Sequence, residues 1–178
     1  MAASIQQPAL HEKTIQPETW RIRLFRWRLN HFPAFWCTGG RITYLSPDFR
    51  EAHLDLPLNR RTRNLVGTMF GGSMFAATDA IYMVMLIRLM GRDHIVWDKG
   101  GTIRFLKPGR GTLHACYSVP EEETDAIKAA LQTQRSIDRV YSIELKDDAD
   151  VTCALIERTV YIRKKEEKDA EQKPAISA

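Results

Sequence analysis

Apolar positions recur along this chain with helical spacing in some stretches and with a period of two in others, and the change of rhythm marks out its elements. Glu18 to Phe32 reads as a helix that Pro33 stops, since proline has no N–H to continue it. Trp20, Leu24 and Trp27 form one apolar strip on that helix. Ile22, Phe25, Leu29 and Phe32 form a second, with four arginines between the two. Two strips favour docking between two protein surfaces over contact with lipid, the lesser reading, because a membrane-surface helix presents a single apolar side with its cations opposite. Gly40–Leu45 and Glu51–Leu58 are strand candidates joined by the turn signal Ser46-Pro47-Asp48, a hairpin. Gly71 to Met90 is apolar almost all round and is followed by Gly91, the residue type favoured just past a helix end. It predicts a buried helix.

From Ile95 the rhythm is that of strands. Ile95 to Leu106 is one, and Gly111 to Val119 a second, in which Leu113, Ala115, Tyr117 and Val119 alternate with polar neighbours. Residues 121–131 carry acids in the first turn and apolar Ile127 and Leu131 four apart, which predicts a short surface helix. Tyr141, Ile143 and Leu145 alternate again. After the turn at Asp147-Asp148-Ala149-Asp150, Val151 to Arg163 closes a final hairpin. Runs of strands without regular strand–helix alternation imply an α+β fold with an antiparallel sheet. A helix that is apolar all round must be covered all round. The economical arrangement is a sheet curled about it, with a partner subunit covering what remains.

Residues 1–16 and 164–178 are polar or charged and contain proline, so both are expected to be mobile tails. Between them lie a helix over 17–33 and one domain over 40–163, the usual complement for 178 residues. Composition is that of an ordinary globular protein, 44% hydrophobic and 27% charged, which excludes a fibrous or disordered chain. The net charge of +4 is concentrated in residues 1–63, where ten Lys and Arg face five Asp and Glu. No nucleic-acid recognition motif accompanies that excess, so nucleic acid is not an expected partner. The three cysteines Cys37, Cys116 and Cys153 are isolated, which argues against a disulfide framework and a zinc site. With no signal-peptide pattern in the first residues, a reducing, cytoplasmic setting is the expectation.

Candidate chemistry lies in the run from Asn64 through Gly67, Phe70, Gly71 and Gly72 to Asp79. Paired glycines at a helix start let a ligand approach backbone N–H groups whose dipoles favour negative charge, such as the oxyanion of a thioester carbonyl. Asp79 lies about two turns further, near the same face, and is the only acid between Arg63 and Asp93. A carboxylate in such apolar surroundings must be paired or used. The bland alternatives are a core acid hydrogen-bonded to Thr78 or Tyr82, and glycines that merely permit close packing. Gly67 to Ile87 is also long enough to span a membrane, but the turn-rich strands on either side and Gly91 argue against a span.

This run resembles the hotdog-fold acyl-CoA thioesterases, particularly the phenylacetate-pathway type. There an Asn, a Gly three residues on and a His-Gly-Gly lead into the central helix, with an acid nine residues after the His. Asn64, Gly67, Gly71, Gly72 and Asp79 match, as does the strand Ile103 to Gly109, while Phe70 stands where the family has His. The resemblance implies a hotdog fold and hydrolysis of an acyl-CoA by a homodimer or homotetramer. It implies no cofactor apart from coenzyme A within the substrate, and no metal. Asp79 would be general base or nucleophile, Asn64 would bind the water or hold the loop, and Gly72 N–H would polarise the carbonyl. Gly71 and Phe70 would line the substrate site. Asp98 stands where the family often has a second polar residue, though it can equally pair with Lys99 or an arginine. Lys107 and Arg110 form a basic turn suited to coenzyme A phosphates, or simply to a surface. Phe70 also motivates a second reading, an acyl-binding module that has lost turnover.

Overall fold

A computed structural model describes residues 16–166, so the tails expected over 1–16 and 164–178 lie outside the described residues except for residue 16 and residues 164–166. Six strands form one antiparallel sheet: β1 (Arg41–Leu45), β2 (Glu51–Leu56), β3 (His94–Phe105), β4 (Leu113–Ser118), β5 (Ser136–Lys146) and β6 (Thr152–Lys164), in the order β1-β2-β4-β5-β6-β3. Every neighbouring pair is antiparallel. The period-two pattern sets which side chains enter the core: Leu113, Ala115 and Tyr117 are buried while His114, Cys116 and Ser118 are half-buried. β3 bonds only to β6 and has one open edge among the described residues, and most of its residues are exposed. α5 (Glu121–Thr133) packs against β5 through the buried Ile127 and Leu131.

The central helix spans Gly71–Met90, but as two segments, α3 (Gly71–Ala77) and α4 (Ile81–Met90). Between them, Ala80 is left-handed at φ 64° and Ile81 N–H bonds back to Asp79 O at 2.8 Å. The apolar period runs through this break unchanged, which is why the sequence predicts one helix. Met74, Ala77, Ile81, Tyr82, Met85 and Leu86 are buried in the single apolar core with the inward residues of the sheet. Phe75 and Met83 lie partly buried against that core.

Pro33 does not simply end the first helix. It closes α1 (Trp20–His31) and opens α2 (Pro33–Thr38) at the first position, where its missing N–H costs nothing. α1 covers the outer edge of β1. Asn30 bonds both the N–H and the C=O of Ile42, and the Glu18 carboxylate accepts from Leu45 N–H at 2.8 Å while pairing with Arg26. An edge strand is thereby protected by side chains rather than by another strand. Only Ile22, with Phe25 and Leu29 partly buried, faces the core, so one of the two apolar strips docks and the other does not.

Two consequences of this packing are measurable. Left-handed backbone costs an alanine about 1–2 kcal/mol, more than glycine loses in entropy. Ala80→Gly is therefore expected to stabilise the fold by about 0.5 kcal/mol, and the bulkier, β-branched Ala80→Val to destabilise it by more than about 1 kcal/mol, in urea unfolding. Elsewhere, His114 on β4 sits between two carboxylates, Asp55 at 2.8 Å and Asp148 at 3.0 Å. Burial pushes its pKa down, but the hydrogen bonds and charges of Asp55 and Asp148 outweigh that and raise it above the ordinary histidine value. The stabilisation is thus fully present below the ordinary value and is lost as pH rises through the elevated folded one. A histidine NMR titration should show the raised value, and His114→Gln should flatten the fall in stability across that window.

Candidate active site

The break in the central helix gathers its charged residues from three elements. Arg158, at an inward position of β6 between Ile156 and Val160, is 5% exposed. Its Nη1 donates to Asp79 Oδ1 at 3.0 Å, and its Nη2 to the Phe75 carbonyl and, at 3.4 Å, to the Thr78 hydroxyl. The guanidinium lies 3.9 Å above the Phe75 ring centre. A cation is thereby fixed at the C-terminal end of α3, where helix carbonyls lack partners and the dipole is negative. Asp98 complements the other half, accepting the Ala80 N–H at 3.3 Å at the start of α4. The break carries a positive charge at the end of α3 and a carboxylate at the start of α4.

Arg158 reaches this place because β3 is bare of side chains beside it. Gly101 lies opposite Arg158 in the β3–β6 ladder, and a Cβ there would fall 2.9 Å from the Glu157 carbonyl and 3.0 Å from Arg158 Cδ. The register also shifts between Asp98 and Gly100, a bulge that lets Asp98 turn toward Ala80. Neither Arg158 nor Gly101 was a candidate from the sequence. The readable signal was a charge on the inward parity of a period-two strand.

Asp79 is therefore paired, and it is Arg158 rather than Thr78 that pairs with it. The Thr78 hydroxyl instead donates to Met74 and Phe75 carbonyls within α3. Nor is Asp79 enclosed, its side chain being 50% exposed. Asp98 does not pair with Lys99, which bonds Asp138 at 2.6 Å. Burial, and after it the charge of Asp79, hold the Asp98 carboxyl above its ordinary pKa, against the pull of Arg158 and the Ala80 N–H. One carboxyl thus pairs with the arginine, while the other is held toward its neutral form by burial and by its neighbour's charge.

The loop before α3 is organised by Asn64. Its Oδ1 accepts from Val66 N–H and Thr68 N–H at 3.1 and 3.0 Å, and its Nδ2 donates to Thr68 Oγ1 at 2.9 Å. Those bonds hold the loop and leave the side chain committed to it. They lift Leu65 and Val66 out into solvent at the tip. The glycines have aromatic neighbours: a Cβ on Gly71 would meet the Phe105 ring at 2.7 Å, and one on Gly72 the Phe70 ring at 2.4 Å. Phe70 thus folds over the start of α3, where Gly72 is exposed. Lys107 and Arg110 are exposed on the turn after β3. That turn abuts the same loop through Gly109, whose carbonyl accepts from Met69 N–H at 2.8 Å. A cleft of about 400 Å³ lies elsewhere, between the β1–β2 turn and the start of α5, and holds none of these residues.

A family model described as a domain of unknown function, DUF4442, matches residues 21–162. No curated protein matches the chain. Among solved structures it is similar to PA5026 of Pseudomonas aeruginosa, a protein of unknown function described as a probable thioesterase. The TM-score is 0.71 at 18% identity, over 80% of this chain and 95% of that one. It is also similar to thioesterase HI1161 of Haemophilus influenzae, with TM-score 0.61 and 15% identity over 84% and 94% of the two chains. The PaaI protein from the phenylacetic acid degradation operon of E. coli gives TM-score 0.56 and 18% identity over 83% and 93%. At such identities the likeness carries the fold alone. The sheet curled about a central helix is a thioesterase-like hotdog fold, and the chain belongs to the DUF4442 family.

Proposed function

We propose that this protein hydrolyses an acyl-CoA or related thioester, with Asp79 as the group that activates water or attacks the thioester carbon. The observation that carries this reading is a half-exposed carboxylate at a break in the central helix, oriented at 3.0 Å by a buried arginine and backed by a second carboxyl of raised pKa. In the general-base form, Asp79 takes a proton from water as the water oxygen bonds the thioester carbon. The C–S bond then breaks, and the thiolate leaves with a proton. Asp98, which holds its proton to higher pH than an ordinary carboxyl, is suited to that return. The Gly72 N–H at the start of α3 would polarise the carbonyl, with Gly71 and Phe70 beside the acyl group. Lys107 and Arg110, on the adjoining turn, suit the coenzyme A phosphates. A homo-oligomer fits the open edge of β3 and the exposed Leu65, Val66, Phe105 and Leu106.

A second reading is a module that binds an acyl thioester without turnover. Phe70 favours it, because its ring rests against Gly72 at the position where the resemblance to the thioesterases calls for His, and so does Arg158, which already occupies one oxygen of Asp79.

Release of free thiol from a panel of acyl-CoAs separates the two. Hydrolysis predicts turnover that falls about 10²–10⁴-fold in Asp79→Asn, the usual worth of a general base. Turnover unchanged in that variant removes Asp79 from the chemistry. Tight acyl-CoA binding with no thiol released decides for the binding module. Arg158→Met adds a finer readout. If Arg158 only seals the helix break, thermal stability falls and thiol release per folded molecule is unchanged; if it orients Asp79, kcat per folded molecule falls and Arg158→Lys, which keeps the cation, restores part of it.

A further inference from the structure

α1 uses its faces unequally. Ile22, Phe25 and Leu29 turn toward the core, and Arg26 and Asn30 bond the β1 edge. On the opposite side Trp20, Leu24, Trp27 and His31 fall within about 60° of one another at 3.6 residues per turn. All four are exposed, Trp20 by 70% and Trp27 by 56%. The exposed aromatics continue into α2 with Phe32 and Trp36. Arginine lines both sides of the stripe, Arg21 and Arg28 on one flank and Arg23 on the other. Arg21 lies over the Trp20 ring and Arg61 over the Trp36 ring, at 5.5 and 3.9 Å.

The composition of this surface selects its partner. Between Glu18 and Asp48 there are five arginines and no acid, and the Glu18 carboxylate is turned inward to Arg26 and Leu45. Every exposed residue from Trp20 to Cys37 is aromatic, aliphatic, Cys, Arg or His. A protein partner's rim calls for hydrogen-bonding groups and charges of both signs, at about one hydrogen bond per 100–200 Å². Here only cations are offered. Tryptophan belts with flanking arginines match the headgroup layer of a bilayer, where the rings sit at the interface and the cations meet lipid phosphates. The stripe also lies at the β1 end of the sheet, away from the open edge of β3.

We infer that the outer face of α1, continued by α2, docks this protein on an anionic membrane surface, lying in the headgroup plane without spanning it. The face is independent of the chemistry at Asp79, so this inference stands or falls apart from the thioesterase reading.

The test is sedimentation of the full chain with phosphatidylcholine vesicles, with and without phosphatidylserine, followed also by tryptophan emission. The expected result is binding to the phosphatidylserine vesicles, a blue shift, and release as salt is raised. Trp20→Ser with Trp27→Ser should abolish binding. Arg21→Gln with Arg23→Gln, which leaves the apolar stripe intact, should weaken it roughly 30-fold. Unchanged thermal melting of both exposed-site variants shows that they fold. Indifference of the wild type to phosphatidylserine, or binding that neither variant alters, overturns the inference. So does a lipid-free wild type that sediments at a higher mass than the tryptophan variant, because the stripe is then a protein interface.

Discussion

Arg158 is the residue around which this fold is arranged. An apolar helix buried in a curled sheet has no need to stop halfway, and stopping exposes carbonyls and N–H groups inside the core, each of which costs free energy if left unpaired. Arg158 meets the carbonyl end of α3, and Asp98 meets the N–H of Ala80, the N-cap of α4. The requirement then propagates outward. β3 must carry Gly101 where the arginine passes, and its bulge must turn Asp98 toward the break. Asp79 is placed at 3.0 Å from a fixed cation while half of it stays in solvent. A buried charge is costly unless engaged; Nη1 and Nη2 of Arg158 are paired while its buried Nε has no partner among the described residues, and the pairing makes Asp79 the carboxylate that the central helix offers outward.

That arrangement explains what was legible in the sequence and what was not. The strands could be read because each alternates with the period of a pleated sheet, as Leu113, Ala115 and Tyr117 do. The wrapped helix could be read because Gly71 to Met90 is apolar in every direction. The break could not, because Thr78, Asp79 and Ala80 fit the helical period as well as their neighbours, and the reason for stopping is an arginine about eighty residues further on. Arg158 itself follows Ile156 and precedes Val160 and Ile162 on one parity of β6, where a charge is out of place. A charged residue on the buried parity of a strand is a sign that something across the core needs it. Proline at position 33 was legible as punctuation but not as a start, since the same missing N–H serves both.

The two aromatic rings at the mouth of the site set the limit on its chemistry. Phe105 and Phe70 rest against Gly71 and Gly72, so the glycines make room first for the chain's own side chains. Both rings are more than half exposed, and neither is locked by the core. A rotamer change at Phe70 would break no side-chain hydrogen bond, and the backbone bond from Phe70 N–H to the Thr62 carbonyl would hold the chain in place. Such a change costs far less than a turn of helix, since the side chain moves between staggered wells. The glycine pair therefore makes room for the two rings while Gly72 itself stays exposed beside Phe70.

Polar commitment divides the remaining candidates in the same way. Asn64 spends its amide within its own loop, so its contribution is the shape of that loop and the projection of Leu65 and Val66. Asp79 and Asp98 keep capacity: one retains an oxygen facing solvent, and the other is held toward its neutral form by burial and by its neighbour's charge. Proton return to a leaving group calls for a carboxyl that keeps its proton, and burial and the Asp79 charge give Asp98 that character. The Arg158–Asp79 pair and the bond from Ala80 N–H to Asp98 both lie at the helix break, so the charges of the site are placed independently of the residue at position 70.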